Sequence, residues 1–166
     1  GAAARLGPPL VAAAAAVAAF ANALEGEFVF DDAYAIVNNA DVHPGSSWWL
    51  LWTHDFWGFP LASERSHKSY RPLTVLSFRL QALWAGGRLD DAAAAAMHRA
   101  NVLVHAANSA LFVRVCSEML AMSPLSAGIA GVAFAVHPVH VEAVAGLVGH
   151  AELLAGFLLL ACLLCG

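Results

Sequence analysis

The chain is short of charge: Asp, Glu, Lys and Arg make up only 12% of it, about half the ~25% of an average soluble domain. It also lacks a basic excess, with a formal net charge of −4. That excludes the positive face a nucleic-acid partner requires. Cysteine is scarce. Cys116, Cys162 and Cys165 all lie in apolar stretches, so they form neither a disulfide framework nor a zinc knuckle. Even the CxxC spacing of "CLLC" is embedded in leucines, and buried bystander thiols are predicted.

What the chain has in quantity is apolar surface. Of its 166 residues, 60% are hydrophobic, and the mean hydropathy is +0.67. One soluble domain would fit that length, but this balance points to an all-α membrane bundle. The sequence starts without Met and stops inside "AELLAGFLLLACLLCG", which predicts the N-terminal part of a larger polytopic protein. A spanning helix needs about 20 apolar residues. Four segments come close, at about 8–24, 92–115, 121–136 and 151–166. The first resembles a signal peptide, but it has little charge before it and no clear cleavage site after it, so a retained anchor is predicted. Pro8 and Pro9 are placed in its first turn, and Asp90 and Asp91 cap the second span.

Orientation rests on parity. Arg5 and Arg114 flank the predicted cytoplasmic ends. With Arg5 cytoplasmic, the first and third spans leave the membrane on the same far side. "FDDAY" and "HPVHVEA" (137–143) then face one compartment. The intervening loop, about 25–91, is not simply polar. "WWLLWTHDFWGF" (48–59) is rich in the aromatics of a headgroup boundary. "PLTVLSFRLQALW" sets Leu73, Leu76, Leu80 and Leu83 at helical spacing, with Thr74, Ser77, Arg79 and Gln81 largely on other faces. That pattern predicts an amphipathic interfacial helix.

Several polar groups stand out against this background. Asp31 and Asp32 sit between Phe28, Val29, Phe30 and Ala33, Tyr34, Ile36, Val37. A carboxylate in apolar surroundings is costly unless used or paired, and adjacent carboxylates suit general-base chemistry. Ordinary helix-flanking acids fit the pair equally well. "SHKSYRP" (66–72) gathers His67, Lys68, Tyr70 and Arg71, which suit an anion site because Lys and Arg neutralise phosphate. "HPVHVEA" supplies His137, His140 and Glu142. Those residue types also ligate zinc, but the spacing is not HExxH. Imidazoles bonding a phosphate or sugar are the preferred reading, and no metal ligand set is assigned. In the second span, His98, Asn101, His105 and Asn108 form one helical stripe, read as interhelical hydrogen-bond glue ahead of ligand contact.

The stretches "GEFVFDDAYAIVNNADV", "DFWG", "SHKSYRPLTVLSFR" and "FAVHPVHVEAVAGLVGHAELLA" together resemble the membrane region of the transmembrane and tetratricopeptide-repeat proteins, the transmembrane O-mannosyltransferases targeting cadherins. The resemblance implies a GT-C type glycosyltransferase bundle, multi-pass in the endoplasmic reticulum membrane with lumenal catalytic loops. It implies transfer of mannose from dolichyl phosphate mannose to Ser or Thr hydroxyls of cadherin-type domains, with no tightly bound cofactor. Carried over by residue, it makes Asp31 the catalytic carboxylate with Asp32 beside it. His67, Lys68, Tyr70, Arg71, His137, His140 and Glu142 fall to donor binding, as do His150 and Glu152 of "VGHAE". His150 stands where the family pattern has arginine, which puts donor affinity in question. Tetratricopeptide repeats and further membrane helices are implied beyond this sequence. Two other readings compete: a non-catalytic membrane scaffold whose repeats bind partners, and a histidine-lined transporter.

Overall fold

The computed structural model describes residues 2–166, with side chains from Leu6 onward; the orientation argument from Arg5 therefore lies outside the described side chains. Six α-helices follow one another: α1 (Ala2–Ala19), α2 (Pro72–Trp84), α3 (Asp91–Glu118), α4 (Pro124–Ala135), α5 (Val141–Ala145) and α6 (His150–Cys165). Short 3₁₀ turns occupy Ala21–Ala23, Trp48–Trp52 and Pro138–His140, and one π-helical turn occupies Ala33–Val37. Among the described residues there is no named strand, only an isolated bridge between His54 and Pro60. The all-α expectation holds at that level. Two compact units result. One is the chain up to Leu24 together with His98–Gly166, the other Glu25–Met97.

In the first unit, small residues set the packing. Ala12 and Ala16 of α1 are fully buried, as are Ala127 and Ala135 of α4. Ala12, Val113, Cys116 and Ala127 form one cluster, and Ala16, Ala106 and Ala135 another. Ala127, Gly131 and Ala135 recur every fourth residue, the spacing that lets helix backbones approach closely. Gly131 is the tightest point: a Cβ there would lie 2.1 Å from Val113 Cγ2 and 3.1 Å from Ala12 Cβ. Gly131→Ala is expected to destabilise by about 2 kcal/mol, read as a lower melting temperature of the full-length protein. Gly128→Ala is expected to cost less, because the nearest atom its Cβ would meet is Pro8 Cβ at 3.3 Å.

Helix α3 carries the polar stripe, and its side chains tie down the segments beside it. Asn101 Nδ2 donates to Gly146 O at 3.0 Å and to Val144 O at 3.4 Å. His105 Nε2 donates to Ala135 O at 2.9 Å, and Asn108 Nδ2 to Leu153 O at 2.9 Å. Each bond reaches a carbonyl outside α3. The structure therefore supports interhelical glue for this stripe.

Some local expectations need correcting. Pro8 and Pro9 lie inside α1, which starts at Ala2, and the helix ends at Ala19 rather than near Leu24. Phe20 follows in a non-helical conformation and leads into the 3₁₀ turn. Cys162 and Cys165 are exposed, so only Cys116 fits the buried-thiol expectation. Among the described residues no single helix is long and apolar enough to cross a membrane, while Pro124–Ala135 and Pro138–Ala145 pass that test as a pair bent by 44°. The start of α3 agrees better: Asp90 Oδ1 accepts from Ala93 N at 3.2 Å. Ser123, which the sequence reading did not single out, caps α4, its Oγ accepting from Ser126 N at 3.2 Å.

The second unit folds around an unexpected residue. Arg79 is fully buried. Its guanidinium donates to Ser47 O at 3.2 Å, to Pro44 O at 3.3 Å and to Ser46 O, and it lies 4.0 Å from the Trp48 ring centroid. Thr74, Val75, Phe78 and Ala82 are buried with it, whereas Leu73, Leu80, Leu83 and Trp84 are exposed. The arginine of α2 thus turns inward with Val75, Phe78 and Ala82, while Leu73, Leu80 and Leu83 of the leucine stripe face outward and Leu76 is half-buried. A planar fork of donors satisfies loop carbonyls that no leucine could satisfy.

Candidate functional site

Asp31 and Asp32 are neighbours in sequence, but they point to different environments. Asp32 is buried, and its Oδ2 accepts from Val29 N at 3.0 Å, while Val29 O accepts from Asp32 N at 3.0 Å. This reciprocal pair closes the turn before the π-helical segment. Asp31 is exposed, and among the described residues no hydrogen bond engages its carboxylate. It lines a cavity of about 490 Å³ with Tyr34, Asn38, Trp57, Phe59 and His67. A concave site with aromatic walls and a few polar groups is a typical small-molecule site. One carboxylate secures the turn, and the other stands at the cavity.

The cavity walls come from three loop segments held together by buried polar groups. Asn39 Nδ2 donates to Ala35 O at 3.0 Å and to Phe56 O at 3.0 Å, and its Oδ1 accepts from Asp41 N at 3.0 Å. One amide therefore joins the turn behind Asp31 to the segment carrying Trp57. Gly58 is required beside it. Its φ is +82°, and a Cβ there would sit 2.5 Å from Asn39 Oδ1.

Asp55 fixes the remaining wall. Its Oδ1 accepts from Trp57 N at 2.9 Å and Phe59 N at 3.0 Å. Its Oδ2 accepts from Ser66 Oγ at 2.6 Å and His67 N at 3.1 Å. Burial alone would raise its pKa, but the Ser66 hydroxyl and the three backbone N–H groups outweigh burial and hold the carboxyl below its ordinary value. Nearby, His54 Nδ1 donates to the buried Asp41 carboxylate at 2.9 Å. Two non-glycine residues with positive φ flank the cavity residues: Phe30 (47°) precedes Asp31, and Lys68 (58°) follows His67. Such conformations cost energy and gather at functional sites.

The basic run is only partly drawn to this cavity. His67 lines it. Lys68 Nζ instead donates to Ser63 O at 2.9 Å and to Leu61 O. Arg71 lies 5.0 Å over the Phe56 ring, and Tyr70 Oη contacts Trp52 O at 3.4 Å.

In the first unit, "HPVHVEA" forms a turn. His137 Nδ1 accepts from Val139 N at 3.2 Å, which caps the Pro138–His140 turn. The His137 and His140 ring centroids are 6.3 Å apart, and the His140 ring lies tilted 4.5 Å from Phe134 and 4.8 Å from His105. These two histidines share a second, apolar cavity of about 400 Å³ with Phe112 and Phe134. Glu142 and Glu152 are exposed in the first turns of α5 and α6. His150 is buried, and its Nδ1 donates to Asn101 Oδ1 at 2.7 Å. It is thus turned toward α3. Among the described residues no three His, Cys, Asp or Glu side chains cluster as metal ligands.

Comparison with known proteins gives the family. Human protein O-mannosyl-transferase TMTC3 is 47% identical over 147 residues, which is 89% of this chain. The chain belongs to the TMTC family. Human protein O-mannosyl-transferase TMTC4 is 44% identical over 87% of the chain, and Drosophila melanogaster Tmtc2 is 48% identical over 82%. The chain spans only 15%, 21% and 14% of these three TMTC relatives. No family model and no solved structure matches it.

Sequence reasoning missed Asn38, Asn39, Asp55 and Trp57 as parts of this site. "DFWG" and "NN" were legible as turn formers, since Asp and Asn bond backbone N–H groups two residues on and Gly takes positive φ. Asp55 and Asn39 do both of those bonds here.

Proposed function

We propose that this chain forms part of a protein O-mannosyltransferase of the GT-C membrane type. It acts in the endoplasmic reticulum membrane, with the 25–91 loop and the "HPVHVEA" turn lumenal. Mannose moves from dolichyl phosphate mannose to a Ser or Thr hydroxyl of a cadherin-type domain. The observation that carries the assignment is the unengaged Asp31 carboxylate on an aromatic-walled cavity, in a chain whose relatives are named O-mannosyl-transferases. The outward Leu73, Leu80 and Leu83 of α2 and the exposed Trp48, Trp49 and Trp84 support an interfacial position for this loop.

Transfer proceeds with inversion. The acceptor hydroxyl oxygen attacks the anomeric carbon, the bond from that carbon to the phosphate oxygen breaks, and Asp31 takes the hydroxyl proton. Dolichyl phosphate leaves with the bonding electron pair. His67 lines the same cavity as Asp31. Asp32 holds the turn beneath Asp31. Lys68, Tyr70 and Arg71 serve donor binding in this reading, and the family resemblance assigns the same role to His137, His140, Glu142, His150 and Glu152 of the first unit, cations and imidazoles being suited to developing phosphate charge. Lys68 and His150 must exchange their present partners to do so.

The test is a transfer assay with full-length protein, dolichyl phosphate mannose and a purified cadherin-type domain. Mass spectrometry is expected to show a hexose on Ser or Thr only when the lipid-linked donor is present. An unmodified acceptor with a well-folded protein would favour the scaffold reading instead.

A further inference from the structure

We propose that Trp57 is the platform on which the mannosyl ring of the donor lies, with Asn38 and His67 meeting its hydroxyl rim. This rests on the transferase reading above and names the sugar-binding part of that same cavity. A pyranose has an apolar face of C–H groups and a rim of hydroxyls. Its C–H groups carry partial positive charge, which suits the negative face of an aromatic ring. The Asp31 cavity offers both halves of that recognition: an indole, a carboxamide and an imidazole around one carboxylate.

Trp57 differs from the other tryptophans of its unit. Trp48, Trp49, Trp52 and Trp84 are exposed, as residues of a headgroup belt would be. Trp57 is half-buried, and both its backbone and its ring have close neighbours. Its backbone N–H donates to Asp55 Oδ1 at 2.9 Å. Its ring packs edge-on against Phe56 at 5.1 Å, and the His67 ring stands 6.4 Å away. The Asn39 amide ties the preceding residue to the Asp31 turn. A belt residue has no need of such immobilisation, whereas a platform for a reacting sugar does, because its position relative to the base sets the attack geometry.

The experiment measures donor KM, acceptor KM and kcat in full-length protein carrying Trp57→Leu or Trp57→Phe. Leucine keeps apolar bulk and removes the π face, so donor KM should rise about tenfold. Phenylalanine keeps a smaller ring, so donor KM should rise about threefold. Acceptor KM should stay within about twofold of wild type in both variants. An unchanged donor KM, or an increase confined to the acceptor, overturns the platform. If Trp57→Leu fails to fold, Trp57→Phe alone decides by the same criterion. A wild-type protein that transfers no mannose overturns the transferase reading and the platform together, and that result is seen before any variant is made.

Discussion

Asp55→Ala is expected to loosen the wall of the cavity and to cost about 3–5 kcal/mol of local stability. The carboxylate accepts four hydrogen bonds, from Ser66 Oγ and from the backbone N–H groups of Trp57, Phe59 and His67. Alanine leaves four donors without their acceptor in a site where Asp55 is only 2% exposed. Hydrogen exchange on the full-length protein should show protection lost at the Trp57, Phe59 and His67 amides. Unchanged protection there would mean that other groups hold the loop. Asp55→Asn should fall between wild type and alanine, because an amide keeps one acceptor oxygen and loses the charge.

The same group sets a pH dependence. The folded pKa of Asp55 is lowered, so its stabilising contribution is complete above the unfolded value of about 3.9. It is lost as pH falls below that value and through the lowered folded one. Exchange protection of the three amides should therefore be flat through neutral pH and fall only in acid.

Asp31→Asn is the second large effect. It should reduce mannose transfer by about 10²–10⁴-fold, the usual contribution of a positioned general base. The fold should be retained, since the side chain is exposed and, among the described residues, engages in no hydrogen bond. Donor KM should change little, because the lost interaction belongs to the transition state. Transfer at the wild-type rate, measured by hexose incorporation, would remove Asp31 from the chemistry.

The sequence made different parts of this molecule legible to different degrees. The helix start at Asp90 was readable because a cap is a local event, decided within three residues. The stripe of His98, Asn101, His105 and Asn108 was readable as glue from helical period alone, although not which carbonyls it would reach. Asp31 and Asp32 were legible as a pair of acids among apolar residues, but not which of them is buried: Asp32 is, and Asp31 is exposed. Asn39, Asp55 and Arg79 were not legible. Asn39 and Asp55 are loop residues and Arg79 lies mid-helix in α2, but the value of each depends on partners brought close by the tertiary fold, as Arg79 is to Pro44 and Ser47. The exposure of Cys162 and Cys165 was likewise hidden, because hydropathy records what a residue prefers and not which neighbours are present.

The claim that matters most is that the Asp31 carboxylate accepts the proton of the attacking hydroxyl. It is tested most directly by chemical rescue. Full-length protein carrying Asp31→Ala should transfer almost no mannose from dolichyl phosphate mannose, and added formate should restore part of the rate by supplying a carboxylate in the vacated space. Transfer by Asp31→Ala at the wild-type rate without formate would contradict the account.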